Sequence, residues 1–307
     1  MTPDAVVVGQ LARDLVLLVD DMPDAGGAAD VRLRREMLGG KGANQAVALA
    51  QLGMFPALVA VCGTDPAGDE LLAQAHRDGV DVSMVARRSG APTGLIVEAL
   101  DGAGHWRYLQ HLPEPMLLTA ADVDRAAGRL RAAGAVLVQL QQPPAATLAA
   151  ARHGRAGGAL VVLDGVPGDD EREALLATAD VLRVDEQEAR LLTGSPGDDP
   201  DRLRAAAREL LAAGPGLVVL GLADGNLFVW RNPRWGAGDL LLPLTDEKVV
   251  DTTGAGDAFT AALAVTLLRG EPVEVAARYA VAAAGVTVRH PGGRPDLRDK
   301  ELRERLG

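Results

Sequence analysis

The chain predicts an α/β fold, a doubly wound, mostly parallel sheet flanked by helices on both faces, and three observations predict it. Val136–Leu140, Leu160–Leu163, Val181–Val184 and Leu217–Leu220 are short, continuous apolar runs, the composition of parallel strands covered on both sides. Stretches with the helical spacing of apolar residues lie between those runs, so strand and helix alternate. The 307 residues are 48% hydrophobic and only 3% aromatic, which supplies aliphatic surface for one large core.

In order along the chain, Ala5–Val8 is an apolar strand ending at Gly9, and Leu15–Val19 is a second. Gly9–Asp14 lies at the C-terminal end of the first strand, where open α/β sheets bind ligands. Asp21–Arg35 is polar, carries Pro23 and Gly26-Gly27, and reads as a loop or edge structure. Ala43–Leu52 is an Ala-rich helix closed by Gly53. Ala57–Val61 follows as a strand, Gly68–Asp78 as a helix, and Thr93–Ala99 with Trp106–Gln110 as edge-like strands of one sheet. Ala120–Ala133, Pro144–Arg152, Glu171–Ala179, Glu186–Thr193 and Pro200–Ala213 are the helices that alternate with the four apolar runs. Asp257–Leu268 and Val273–Val288 close the chain as helices. Gly194–Pro200 reads as a loop, no internal repeat or low-complexity linker interrupts the pattern, and residues 1–307 are expected to form a single domain.

A formal net charge of −11 argues against a surface for nucleic acid. It leaves nucleotide binding open, since that uses local dipoles and metal ions. The single cysteine, Cys62, excludes an intramolecular disulfide, fits a reducing compartment, and reads as a buried filler. No run reaches eighteen apolar residues, and Met1-Thr2-Pro3-Asp4 lacks a basic n-region. The expectation is therefore a cytoplasmic protein with no membrane partner. Gly40-Lys41 is followed by Gly42, so it is no Walker A loop, and the first strand lacks a dinucleotide fingerprint. The five histidines are scattered and no Cys cluster accompanies them, so a zinc site is not expected.

The stretch Val249-Val250-Asp251-Thr252-Thr253-Gly254-Ala255-Gly256-Asp257 ends an apolar segment and opens an Ala/Leu-rich helix. Backbone N–H groups exposed there, at the positive end of the helix dipole, form an anion site. Alone, such a turn reads as a plain helix start, with Asp257 a favourable acid in the first turn. In chemical terms Asp257 is a general base held where a phosphoryl group would lie. A second glycine-rich stretch, Gly39-Gly40-Lys41-Gly42-Ala43-Asn44, stands far upstream. In residues, order and spacing, the two together resemble the paired signatures of the ribokinase family, also called PfkB sugar kinases, and the resemblance covers essentially the whole chain.

That resemblance implies a small β-sheet lid over a sugar, formed by the segments 15–38 and 93–111, where the residues alone allow an ordinary extension of the main sheet. It implies ATP-dependent phosphorylation of a primary hydroxyl, with ribose the nearest guess. Asp257 would then be the base, and Gly254, Ala255 and Gly256 the anion hole. Asp14, Gly40, Lys41 and Asn44 match the family's sugar contacts, and Gln141 stands where the family has a glutamate. Glu188 matches the residue that holds Mg²⁺ through water, with Asp185 in place of an asparagine; their other reading is an acidic first helical turn. Asp251 and the loop Arg289–Asp296 match a site for an activating monovalent cation, K⁺, and Asp251 reads equally as a turn cap. Only Gly225 survives of the family's nucleotide pattern. Ala12, Pro113-Glu114-Pro115 and Gln141 depart from the family around the sugar, so another pentose, a hexose or a nucleoside stays open. The scarcity of aromatics counts against a nucleoside. A sugar-binding regulator without turnover is the alternative from another class, and the intact Asp257 turn counts against it. The lid's exposed edge is expected to join two chains in a homodimer.

Overall fold

The computed structural model describes residues 2–103, 105–194, 199–290 and 292–306. Most of the loop expected at Gly194–Pro200 lies outside the described residues, as do Met1, Gly104, Pro291 and Gly307 of the other expected segments.

The first part of the chain interleaves the strands of a small second sheet, the lid, with two strands and a helix of the main layer. After β1 (Ala5–Val8) come β2 (Ala12–Val19), β3 (Val31–Gly39) and α1 (Lys41–Gln51). Next are β4 (Pro56–Val59), the short β5 (Val61–Gly63), α2 (Pro66–Arg77), β6 (Ala86–Arg88), β7 (Leu95–Leu100) and β8 (Trp106–His111). Strands β2, β3, β7 and β8 form a separate four-stranded sheet in the order β3-β2-β7-β8, and β5 pairs with β6 alone. The lid is thus its own sheet and not an extension of the main one. Ala12–Asp14, expected between strands, belongs to β2. The polar 31–35 stretch, expected as loop or edge, is an edge strand whose charged side chains face solvent. Val31 and Leu33 alternate with arginines only until Arg34-Arg35-Glu36 breaks the pattern, and pairing with β2 supplies the strand.

The remainder alternates as expected. Helices α3 (Ala120–Arg125) and α4 (Ala127–Ala132), β9 (Ala135–Gln139), α5 (Pro144–Gly157), β10 (Leu160–Asp164), α6 (Arg172–Thr178), β11 (Val181–Val184), α7 (Glu186–Thr193), α8 (Pro200–Ala212) and β12 (Leu217–Gly221) follow in turn. The single helix expected at Ala120–Ala133 is broken at Ala126, which closes α3 at φ −90° and ψ 0°. Two strands not foreseen, β13 (Gly225–Asn232) and β14 (Gly236–Pro243), precede α9 (Ala255–Leu268), α10 (Val273–Thr287) and the short α11 (Asp299–Glu304). Their alternation is blurred by glycines, one of which, Gly238, lies under the Trp230 ring where a Cβ would come within 2.5 Å.

The main sheet runs β14-β13-β12-β11-β10-β9-β1-β4; its first two strands are antiparallel and the rest parallel. Successive strand residues alternate between two cores. Val7, Leu137, Val162 and Val219 pack toward α1, α9 and α10. Val6, Val136, Val161 and Val218 pack on the other face with residues of α4, α5 and α6. The C-terminal ends of the parallel strands, α1 and α9 therefore open toward the lid.

Candidate active site

Two helix N-termini meet at this opening. Gly40 precedes α1 at φ +86°, and a Cβ there would sit 2.9 Å from the backbone nitrogen of Ala12. The Asp14 carboxyl group fills the space beside Gly39, where a Cβ would lie 1.9 Å from its oxygens. Gly254 precedes α9 at φ +72°, and a Cβ would lie 1.9 Å from the carbonyl oxygen of Gly293. Only glycine meets both demands, the left-handed backbone and the contact with the loop.

Asp257, in the first turn of α9, is buried at 5% exposure. Its carboxylate accepts from Asn44 Nδ2 at 3.1 Å and Gln45 Nε2 at 3.3 Å, both from α1. Gln45 Nε2 also donates to Asp164 Oδ2 at 2.8 Å, and Arg183 Nη1 donates to Asp164 Oδ1 at 3.0 Å. The Arg183 guanidinium lies 5.6 Å from the centre of the Phe259 ring and lies against Gly256, where a Cβ would meet it at 2.8 Å. Burial pushes the Asp257 carboxyl up to about 7, against the pull of Lys41 and with a contribution from Asp164.

Two further carboxyls share this environment. Asp14, at 7% exposure, has an Oδ1 with no protein partner. Burial pushes its pKa up to about 7, with Glu98 and Asp257 adding to the effect. Glu98, on the lid strand β7, is likewise pushed up to about 7 by burial and by Asp251. Asp251 itself caps the turn, accepting from Thr253 N at 2.8 Å and Gly292 N at 2.6 Å.

A cavity of about 560 Å³ collects most of the residues the sequence singles out: Asp14, Gly40, Lys41, Asn44, Gln141, Asp185, Gly254, Ala255, Gly256 and Asp257. Glu188 stands behind Asp185. The two form a capping box, Glu188 N donating to Asp185 Oδ1 and Asp185 N to Glu188 Oε2, both at 2.9 Å. The free oxygen of Glu188 faces Lys41 Nζ at 3.8 Å, and burial raises its pKa. Gln141 is exposed at the rim, just beyond β9. Gly225 does not line this cavity: it opens β13, accepts from Leu222 N at 2.8 Å, and would bring a Cβ within 2.4 Å of Leu242 O. Its glycine is explained by strand pairing.

Residue reasoning missed Gln45, Glu98, Tyr108, Asp164, Arg183 and Thr253. Glu98 carried a readable signal, being the one acid inside the apolar strand LIVEAL. Asp164 ends β10 and Arg183 is the next-to-last residue of β11, both among apolar neighbours, and only sheet order brings them beneath α9.

The family model described as pfkB family carbohydrate kinase matches residues 2–300. A ribokinase of Arabidopsis thaliana is 32% identical, over 97% of this chain and 79% of its own. A deoxyribokinase of Salmonella typhi is 28% identical, over 94% of each. Among solved structures, Arabidopsis thaliana ribokinase complexed with ribose and ATP superposes with a TM-score of 0.82 at 30% identity, covering 100% of this chain and 99% of that one. A ribokinase of Thermotoga maritima gives a TM-score of 0.83 at 29% identity, covering 99% of both.

Proposed function

This chain belongs to the pfkB family of carbohydrate kinases and is a ribokinase-like sugar kinase; from that premise we propose that it transfers the γ-phosphoryl group of ATP to the primary hydroxyl of ribose, giving ribose 5-phosphate. The observation that carries the reading is the buried Asp257 carboxyl at the N-terminus of α9, in one cavity with Asp14, Lys41 and Asn44. Asp14 offers an unpartnered, buried oxygen to sugar hydroxyls. Asn44 and Gln45 hold the Asp257 carboxylate by donating to both its oxygens, so it meets the attacking hydroxyl in one orientation. Asp257 takes that hydroxyl's proton as the oxygen attacks phosphorus, and the N–H groups of Gly254, Ala255 and Gly256 stabilise the charge on the moving phosphoryl group.

No group of three or more His, Cys, Asp or Glu among the described residues could cage a metal. Mg²⁺ suits such a site, since it keeps several waters and rests on one or two carboxylates and on phosphate. Glu188 would hold it through water, with Asp185 toward the nucleotide side. When bound, the ion neutralises charge on the nucleotide phosphates. Asp251, whose two oxygens each accept one backbone N–H and keep a lone pair, would hold K⁺ with the loop 289–296. In this reading the enzyme works in the cytoplasm as a homodimer joined through the lid.

A second reading is a 2-deoxypentose, favoured by the deoxyribokinase relative and by Ala12, which carries no polar group, and Gln141, which offers an amide in place of a carboxylate. Rates of ADP formation over ribose, 2-deoxyribose, hexoses and nucleosides, in K⁺ and in Na⁺, test both. Ribose should give the highest kcat/KM and Asp257→Asn should lower kcat by about 10²–10⁴. Sugar binding without turnover on any member would favour the regulator, and a fully active Asp257→Asn would remove the base.

A further inference from the structure

Glu98 is a costly residue in its position. It is 2% exposed on a lid strand, and Asp251 raises its pKa further beyond the effect of burial. An apolar side chain would pack there without the loss of carboxylate hydration. What it gains are hydroxyl partners. Thr253 Oγ1 donates to Glu98 Oε1 at 2.8 Å, and the Tyr108 hydroxyl donates to the same oxygen at 3.1 Å. The Tyr108 and Thr253 hydroxyls also touch each other. Glu98 and Tyr108 are directly opposed in the antiparallel register of β7 and β8, so the pair moves with the lid as one unit. Thr253 belongs to the other side of the cavity. It is the residue before Gly254, and its N–H is already held by Asp251.

We propose that Glu98 is a positioning residue: with Tyr108 it latches the closed lid to Thr253, and through Thr253 sets the Gly254–Gly256 turn for the transferring phosphoryl group. This rests on the reading of that turn as the anion hole. The latch ties two events that the reaction needs together. Closing the lid excludes water from the sugar site, and the same closure fixes the N–H groups that stabilise transfer. With the lid open, the Thr253 hydroxyl loses both partners and the turn relaxes, so ATP is not spent on water. Misplacement of such a turn by about an ångström is enough to cost two orders of magnitude in rate.

The test compares Glu98→Leu, Glu98→Gln and Tyr108→Phe with the wild type. The readings are kcat and KM for the sugar, the rate of ATP hydrolysis without sugar, and the melting temperature. Glu98→Leu should lower kcat/KM for the sugar by about tenfold to a hundredfold and raise the ratio of hydrolysis to transfer by about tenfold. Glu98→Gln retains an acceptor for both hydroxyls and should stay within about threefold of wild type. Tyr108→Phe removes one of the two ties and should shift the ratio in the same direction by less. It also serves if Glu98→Leu does not fold, because Tyr108 is 38% exposed. An unchanged ratio in Tyr108→Phe or in folded Glu98→Leu overturns the latch, as does Glu98→Gln failing as badly as Glu98→Leu. Gly254→Ala, which displaces the turn itself, separates the two readings. If Gly254→Ala is fully active the anion-hole reading falls, and if it loses kcat while the lid variants are normal only the latch falls.

Discussion

The carboxyl of Asp257 is held near neutrality because burial disfavours its charge more than Lys41, Asn44 and Gln45 favour it. Its folded value, about 7, stands above its unfolded value of 3.8. The native state therefore binds more protons between those limits, and stability from this group, fully present below pH 3.8, is lost as pH rises through about 7. Catalysis has the opposite sign, since only the ionised carboxylate accepts a proton. We expect kcat/KM for the sugar to rise with pH through an apparent value near 7, while the melting temperature of the ligand-free protein falls over the same range. Asp14 and Glu98 titrate in the same window, so the apparent value belongs to the set of three. A pH–rate profile flat from 5 to about 8, with melting unchanged, would put Asp257 outside this linkage.

At the scale of elements, α9 explains why Asp257 can be rigid. Its residues from Asp257 through Leu267 are buried on every side, against α1 and α10, as expected of a helix apolar all round. The helix cannot move without breaking the core it shares with α1 and α10, so adjustment is left to the turn before it. Gly254→Ala places a methyl group into Gly293 O and asks alanine for a left-handed backbone. The backbone alone costs about 1–2 kcal/mol. Displacement of the turn should lower kcat by about 10²-fold, the worth of one anion-hole donor. Sugar affinity should hold, because Asp14, Lys41 and Asn44 belong to other elements. Calorimetric titration of sugar beside steady-state rates checks this, and equal losses in both would mean the loop had collapsed.

At the scale of the molecule, the lid is the part with surface to spare. Leu109, Trp106 and Val31, on its two edge strands β8 and β3, are 70%, 47% and 45% exposed. Unpaired edges with apolar side chains seek another strand. Sedimentation velocity is expected to give a dimer, and Leu109→Lys is expected to shift it to monomer with the fold intact. A wild type that sediments as monomer with and without sugar removes the lid contact.

The amino-acid order by itself determined the alternation of strand and helix, the two glycine-rich turns and the acid that follows the second. Each is a local property: apolar runs, helical spacing, and a backbone that only glycine allows. The lid strand β3 was not legible because its charged residues become a strand only through pairing with β2. Nor were β13 and β14, whose glycines pack under Trp230 and Leu242. The tertiary structure alone decided which side chains meet Asp257. Gln45 and Asn44 lie more than two hundred residues before it, and Asp164, held by Arg183, joins it through Gln45 only because β10 and β11 are neighbours. It also decided that Glu98 faces Thr253. Contacts between distant segments depend on sheet order and on how helices close over it, and no local pattern in the chain carries that information.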